Sequence, residues 1–159
     1  MNDAPPVCLP RELIASTAFL LGRVGMAVKM ETIKAFEEAG FSPYHYGVLA
    51  LLDEGARETQ ATIADALRLD RSQLVGLLDS LEERGLVERR RDPNDRRRHL
   101  VSLTAAGRRQ LASFRTMVER IEGEVLQALD SEERAALHEL LLRLASHRDA
   151  SFLPVGTHA

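Results

Sequence analysis

The sequence predicts a mainly α-helical protein with one small β-hairpin, on the basis of three patterns. Aromatic residues form only 4% of the 159 residues and tryptophan is absent, whereas leucine and alanine, which favour helices, are abundant. Two short helical patterns separated by a tight turn occupy residues 59–85. Two apolar runs then flank an arginine-rich turn at residues 92–95. This order predicts a winged helix-turn-helix, with longer helices at both chain ends that form a helical dimerisation lobe.

The chain length predicts one folded unit, because 159 residues can bury an apolar core without disulfides. Cys8 is the only cysteine, which excludes an intrachain disulfide. We predict an N-terminal tail at 1–9, a single unit at 10–150 and a C-terminal tail at 151–159.

Within that unit, we distinguish a winged helix-turn-helix core from the helices that flank it. We place the winged core at about 42–104 and the dimerisation helices at about 10–39 and 104–148.

Positive charge is concentrated in the predicted hairpin. The chain has a formal net charge of −3, but residues 84–98 contain seven arginines against three acidic residues. This segment therefore carries +4 and the remainder −7. A basic patch on an acidic body favours local binding to nucleic acid. The alternative is a charged hairpin that is simply exposed to solvent.

No part of the sequence resembles a targeting or membrane segment. The N-terminus lacks a basic region followed by an apolar run. No stretch approaches the ~18 apolar residues that a membrane span requires. We therefore expect a cytoplasmic protein without a membrane partner.

Capping residues mark the predicted helix boundaries. The first helical pattern extends from about Pro10 to Ala39, before Gly40. Ser42 and Pro43 begin the second helix as N-cap and first helical residue. The predicted N-caps of the later helices are Thr59, Asp70, Thr104 and Asp130. The helix that begins after Thr104 is predicted to end near Leu129. Both aspartates precede Gln or Glu by three residues, as in a capping box.

The terminal helices carry more apolar side chains than the small winged core can cover. These side chains include Leu13, Ile14, Leu126, Leu129, Leu137, Leu141 and Leu144. A dimerisation lobe built from both chain ends is the simplest explanation, and a homodimer would supply two heads for a palindromic site. The alternative is that these helices pack only within one chain.

The order of the predicted elements and several sequence segments resemble the MarR family of bacterial transcription regulators. The segment 41–52 (FSPYHYGVLALL) resembles the family's second helix, and 63–67 (IADAL) resembles the entry to its helix-turn-helix. The segment 71–108 is similar to its recognition helix, wing and fifth helix. The most specific part is the wing motif Asp-Pro-x-Asp-Arg-Arg followed by Leu-Thr-x-x-Gly. The resemblance covers nearly the whole chain after residue 10.

The resemblance implies a triangular homodimer that binds a pseudo-palindromic operator in double-stranded DNA, usually as a repressor. It further implies that a small phenolic or lipophilic ligand, or the oxidation of a cysteine, releases the DNA. No cofactor is expected.

The first turn after Asp70 holds the residues that we expect at base edges in the major groove. Arg71 suits guanine, Gln73 suits adenine, and Ser72 suits a base or a phosphate. Val75 could contact a thymine methyl group. The alternative is a solvent-exposed first turn without base contacts.

The wing is expected to contact the minor groove through one of Arg96, Arg97 and Arg98. The resemblance implies that Asp95 and Arg97 pair to hold the hairpin while Arg96 lies at its tip, although these roles could be exchanged.

Arginines nearer the base of the wing are expected to contact phosphates. Arg89, Arg90 and Arg91 alternate along a strand and cannot all face DNA, so we assign Arg90 to the interface. Arg84 and His99 are further candidates for phosphate contacts.

A ligand pocket is expected between the two lobes, lined as the resemblance implies by the first, second and fifth helices. Arg23 could pair with a ligand carboxylate, His45 or Tyr46 could form a hydrogen bond, and methionines adapt to varied apolar shapes. The alternative is that all of these residues belong to an ordinary core. The candidates are Phe19, Arg23, Met26, Met30, Tyr44, His45, Tyr46, Leu49, Phe114 and Met117.

Other functional classes have weaker support. Cys8 precedes the first helix and raises the alternative of a peroxide-responsive regulator, although it lies in the tail. No histidine pairs with another histidine or cysteine at i, i+4, so no metal is expected. The sequence lacks a phosphate-binding loop, a nucleophile elbow and an isolated acid–base dyad, so we expect no enzyme. A winged-helix interaction module that does not bind DNA would not need an arginine-rich hairpin.

Overall fold

The computed structural model describes residues 8–55, 58–93 and 99–152. Three strands form an antiparallel sheet in the order β1-β3-β2, and a 3₁₀ turn follows the last helix at Ala150–Phe152. The predicted mainly α fold with a β-hairpin wing is confirmed. The helices are α1 (Arg11–Ile14), α2 (Thr17–Glu38), α3 (Pro43–Gly55), α4 (Gln60–Leu67), α5 (Arg71–Glu83), α6 (Ala105–Val125) and α7 (Ser131–Arg148). The strands are β1 (Glu58–Thr59), β2 (Val87–Arg91) and β3 (His99–Leu103).

The four later N-caps are confirmed as local hydrogen bonds. At the start of α5, Oδ1 of Asp70 accepts a bond from the backbone N–H of Gln73 at 2.8 Å. In return, Oε1 of Gln73 accepts from the N–H of Asp70 at 3.2 Å. The same reciprocal pair joins Asp130 and Glu133 at the start of α7. Each capping box satisfies donors that the first helical turn leaves open.

The prediction of one continuous helix from Pro10 to Ala39 is wrong. The structure divides it into α1 and α2, and the side chain of Ser16 accepts a bond from the N–H of Phe19 at 3.2 Å. Serine competes for backbone hydrogen bonds in this way and favours a new helix start over continuation. The helix predicted to reach Leu129 also ends earlier, at Val125.

The structure adds a strand that the sequence did not indicate. Strand β1 has only two residues, and its Glu58 and Thr59 pair with Val101 and Leu100 of β3. Two residues are too few to show an alternating pattern, so only the partner strand defines them. The pairing ties the entry of the helix-turn-helix to the wing, which we define as β2, β3 and their connection.

The core lies between α2, α3, α5, α6 and the sheet. Phe114 links α6 to α2 and to the start of α3, because its ring centroid lies 5.0 Å from that of Phe36 in α2 and 4.9 Å from that of Phe41, which precedes α3. In α5, the helical spacing of leucines predicts that Leu77 is buried with Leu74, Leu78 and Leu81, but Leu77 is only half-buried. The fully buried side chains are Phe36, Val48, Leu49, Leu52, Ile63, Leu74, Leu78, Leu81, Val101, Leu111 and Phe114.

Helix α7 contributes no buried residue. Its Leu140 and Leu144 are 54% and 57% exposed, and Leu21 and Val24 of α2 are 48% and 53% exposed. Between α2, α6 and α7 lies an apolar groove of about 900 Å³, which we call the terminal groove. The described chain therefore leaves uncovered the apolar surface that the sequence assigns to a dimerisation lobe.

Candidate nucleic-acid interface

The base of the wing is held where β3 passes into α6. The N–H of Thr104 donates to the carbonyl oxygen of Leu86 at 3.1 Å, and its hydroxyl donates to that of Gly85 at 2.6 Å. The same hydroxyl accepts from the N–H of Gly107 at 3.0 Å. A Cβ at Gly107 would lie 2.0 Å from the Leu86 carbonyl oxygen, so this close approach requires glycine. The Leu-Thr-x-x-Gly motif thus closes the hairpin and starts the next helix.

The predicted base-contacting residues lie together at the exposed start of α5. Arg71, Ser72 and Gln73 are exposed, and Val75 is 37% exposed. The Ser72 hydroxyl donates to Oδ1 of Asp70 at 2.7 Å. Hydrogen bonds from the Gln73 N–H and from Ser72 lower the pKa of the Asp70 carboxyl and keep it ionised at neutral pH. Gln73 and Ser72 therefore support the helix start as well as facing outward.

The arginines of β2 divide between the two faces of the strand, as predicted. The Arg89 side chain is 22% exposed and turns toward α5, where its Nη2 lies 2.6 Å from Oδ1 of Asp79. The Arg90 side chain is 74% exposed, and its Nη2 lies 3.0 Å from Oε2 of Glu88. Of these two arginines, only Arg90 has a side chain open to an approaching duplex.

Arg84 lies apart from the base-contacting group. Its guanidinium carbon is 4.2 Å from the ring centroid of Phe41, a cation–π contact that packs the end of α5 against α3. Thirteen residues separate it from Arg71, about 20 Å along the helix at the usual rise. In the structure the Arg84 side chain has a packing role. The phosphate contact predicted for Arg84 stays a prediction.

The wing-tip residues Asp95, Arg96, Arg97 and Arg98 lie outside the described residues. Their predicted minor-groove contact and pairing therefore stay predictions. His99, the first described residue after them, is exposed.

Comparison with known proteins decides the family. Residues 39–98, from the end of α2 to the wing, match the family model described as MarR family. A protein of Thauera aromatica described as a putative transcriptional regulatory protein for the hcr operon is 32% identical in an alignment 133 positions long that covers 79% of this chain and 80% of that protein. A crystal structure of a MarR-family transcriptional regulator from Rhodococcus sp. RHA1 is 35% identical, with a TM-score of 0.71 over 86% of this chain and 94% of that one. This chain belongs to the MarR family.

A further MarR-family likeness is to CouR of Rhodococcus jostii RHA1, whose crystal structure contains bound p-coumaroyl-CoA. It is 34% identical and has a TM-score of 0.70, over 91% of this chain and all of that one. The chain is thus a DNA-binding transcriptional regulator with the MarR winged helix, and the predicted resemblance is confirmed.

The ten candidate ligand residues of this MarR-family chain lie in different surroundings, and the ligand contacts predicted for them stay a prediction. Met26 and Met30 of α2 are 60% and 59% exposed, and Arg23 is exposed beside them. Tyr44 lines a small cleft with Gln73 of α5. Phe19 and Met117 are half-buried, while the remainder pack in or against the core: His45, Tyr46, Leu49 and Phe114. None of the ten lines the terminal groove.

Four of the apolar residues that the sequence assigns to a dimerisation lobe line the terminal groove: Leu126, Leu129, Leu137 and Leu141. Its walls include Leu20, Leu21 and Val28 of α2 with Ile121 and Val125 of α6. The helical spacing of apolar residues predicted this uncovered surface, and the structure shows that α2, α6 and α7 form it together.

His45 is the one titratable side chain of the described residues that the fold places in the core. It is 9% exposed, and its Nδ1 accepts a bond from the N–H of Ser42 at 2.9 Å. Its buried Nε2 has no hydrogen-bond partner among the described residues. Burial, followed by the positive charge of Arg84, lowers the pKa of His45. The ring is therefore neutral in the folded protein at pH 7.

The lowered pKa of His45 predicts a loss of stability in weak acid. In the unfolded chain the ring takes up its proton near the ordinary pKa of 6.5, whereas the folded state resists protonation. The unfolded state thus binds more protons below that pH, and the free energy of unfolding falls as the pH decreases from 7.5 to about 5.5. Urea denaturation at both values should show a smaller decrease for His45→Asn, which keeps an acceptor for Ser42. Equal decreases would contradict the assignment, because the two proteins differ only at residue 45.

The remaining site predictions concern membranes, metals and Cys8. Within residues 8–55, 58–93 and 99–152, no helix combines the length and apolarity that crossing a bilayer requires. The same residues form no cluster of three potential metal ligands. Cys8 is exposed ahead of α1. Its response to peroxide stays a prediction.

Proposed function

We propose that this MarR-family regulator binds a pseudo-palindromic operator as a homodimer, represses transcription there, and is released by a small aromatic or lipophilic ligand. The observation that carries the proposal is the exposed triplet Arg71, Ser72 and Gln73 at the capped start of α5. The structural relative CouR, described as a transcriptional repressor, is solved on a 23-mer DNA duplex, with 33% identity and a TM-score of 0.74 over 87% of this chain and 98% of that one.

Helix α5 is proposed to enter the major groove with its first turn. Its side chains there can form two-point hydrogen bonds to bases, and each such pair discriminates by about 1–3 kcal/mol. Arg90 and the wing arginines then contact the backbone and the minor groove. The full proposed interface comprises Arg71, Ser72, Gln73, Val75, Arg84, Arg90, Asp95, Arg96, Arg97 and Arg98.

A second copy of the chain is proposed to cover the terminal groove. The groove is bounded by helices from both chain ends, and α7 has no buried residue of its own. Association would bury the leucines of α2 and α7 and place two recognition helices on one duplex. Palindromic operators require such paired heads, about one helical turn apart.

The ligand class is proposed from the aromatic cluster beside α2 and from the CouR structure with p-coumaroyl-CoA. Tyr46 is half-buried against Phe36 and Phe114, with ring centroids 6.0 and 6.2 Å apart. The unpartnered Nε2 of neighbouring His45 could donate a hydrogen bond to a ligand that opens this region. p-Coumaroyl-CoA added to the protein–DNA complex is the first probe, and release of DNA would support the proposal.

The test of DNA binding begins with selection of duplexes from a random 30-base-pair pool by the wild-type protein. Arg71→Ala should bind the selected duplex about tenfold to a hundredfold more weakly in fluorescence anisotropy, because one bidentate base contact is lost. Arg120→Ala, which removes one charge from an exposed pair on α6, is the matched control and should bind like wild type. Equal affinity of both variants would remove Arg71 from the interface. Failure of wild type to enrich any sequence would overturn the proposed function.

A further inference from the structure

We propose that Arg89 is a positioning residue for DNA binding, which holds the wing at a set angle to the recognition helix α5. The inference rests on the proposed function, because it concerns how two DNA-contacting parts act together. We call the group Asp79, Glu82 and Arg89 the Arg89 clamp.

The clamp joins β2 to α5 through both the side chain and the backbone of one residue. Nε of Arg89 donates to Oε2 of Glu82 at 2.8 Å, and Nη2 donates to the same oxygen and to Oδ1 of Asp79 at 2.6 Å. The backbone N–H of Arg89 also donates to Oε1 of Glu82, at 3.2 Å. Asp79 and Glu82 are three residues apart and so share one face of α5. A lysine has no fork that could reproduce this set of bonds.

The clamp lies where it can fix the angle between the wing and α5. Between α5 and β2 the chain passes through Gly85, which has a φ of +67° and about which the hairpin can pivot. Thr104 holds the hairpin at that end through the carbonyl oxygens of Gly85 and Leu86. Strand β1 holds β3 on the other side of the hairpin, and Arg89 adds a direct attachment of β2 to the recognition helix α5, two residues into the strand.

The clamp also removes an unfavourable charge arrangement. Asp79 and Glu82 are both part of the helix that is proposed to enter a groove lined by phosphates, where free carboxylates would be repelled. The Arg89 guanidinium faces both of them. Its hydrogen bonds lower the pKa of the Glu82 carboxyl, which therefore stays ionised at neutral pH.

If the clamp fixes the orientation of the wing before DNA binds, the wing can contact the minor groove while α5 occupies the major groove. The entropy cost of ordering the wing on binding is then small. Loss of the clamp should therefore weaken the wing contacts first and leave the base contacts of α5 in place. A residue that merely supported the fold would affect both grooves equally.

The test uses the duplex selected by the wild-type protein, with Arg89→Lys and Glu82→Gln as clamp variants. Arg108→Lys, an exposed arginine that pairs with Asp53 across α3 and α6, is the matched control. Circular dichroism confirms that each variant is folded, and Glu82→Gln keeps the shape of the side chain if Arg89→Lys does not fold. We expect about tenfold weaker binding by the clamp variants, comparable to the loss of one specific contact.

Footprinting separates positioning from simple support. Hydroxyl-radical protection of the minor groove should be lost in the clamp variants, while protection of guanine N7 in the major groove stays as in wild type. Wild-type affinity and footprints in folded clamp variants would overturn the inference, as would equal loss of protection in both grooves. If wild type itself selects no duplex, the proposed function fails and the positioning role falls with it, an outcome distinct from the other two.

Discussion

Replacing Gly107 with alanine is expected to lower the free energy of unfolding by about 3 kcal/mol, the upper end for overpacking by a single methyl group. The added Cβ would lie 2.0 Å from the carbonyl oxygen of Leu86 and 3.0 Å from its carbonyl carbon. Both atoms belong to the backbone and cannot rotate away. Relief of the clash requires α6 to move from the base of the wing, which would break the hydrogen bonds of Thr104 to Gly85 and Leu86.

Gly123→Ala provides the matched control for this prediction. It lies in the same helix, and a Cβ there would meet no atom within 4 Å. Alanine should therefore stabilise α6 by about 1 kcal/mol through helix propensity alone. The free energy of unfolding of both variants can be measured by urea denaturation followed by circular dichroism. The proposed close contact between α6 and Leu86 would be refuted if Gly107→Ala were as stable as Gly123→Ala.

Replacing Leu141 with glutamate is expected to convert a dimer into monomers. Leu141 is 39% exposed in the single chain and borders the terminal groove. In a homodimer that closes this groove, two unpaired carboxylates would be buried, and each costs several kcal/mol. The dissociation constant of the dimer should rise by about a thousandfold or more. The single chain should fold as before, because the side chain is partly exposed there.

Sedimentation velocity tests this outcome against the 17.7 kDa mass of one chain. Wild type should sediment with twice that mass and Leu141→Glu with the mass of one chain. His138→Glu adds the same side chain on the same helix, at an exposed position that does not line the groove, and should remain dimeric. Leu141→Glu should also lose cooperative binding to the selected duplex, since one head contacts only one half-site. A wild-type protein that is monomeric at micromolar concentration would contradict the proposed dimer.

The winged core and the helices from the chain ends have different physical roles. The wing and α5 form a unit held by close backbone contacts and by the Arg89 clamp, so its geometry is complete within one chain. The helices from the chain ends instead leave an apolar groove open. A second copy that closes this groove would set the distance between the two recognition helices.

Local interactions made much of this fold predictable from the sequence. Thr59, Asp70, Thr104 and Asp130 each bond to a backbone group two or three residues away, so the residue type and its spacing were sufficient. Ser16 makes the same kind of bond, yet the prediction missed it. A serine within an otherwise helical pattern is compatible with both continuation and a new start.

The sequence by itself determined the order of helix-turn-helix and wing, the capped start of α5 with Arg71 and Gln73, and the concentration of arginine in the wing. Only the tertiary structure decided which arginines are available for DNA. Arg89 is turned inward to Glu82, whereas the exposed Arg84 packs over the ring of Phe41, more than forty residues away along the chain. Strand β1 likewise depends on a partner more than forty residues away. Such pairings follow from how helices and strands pack, and no short-range pattern of residues specifies them.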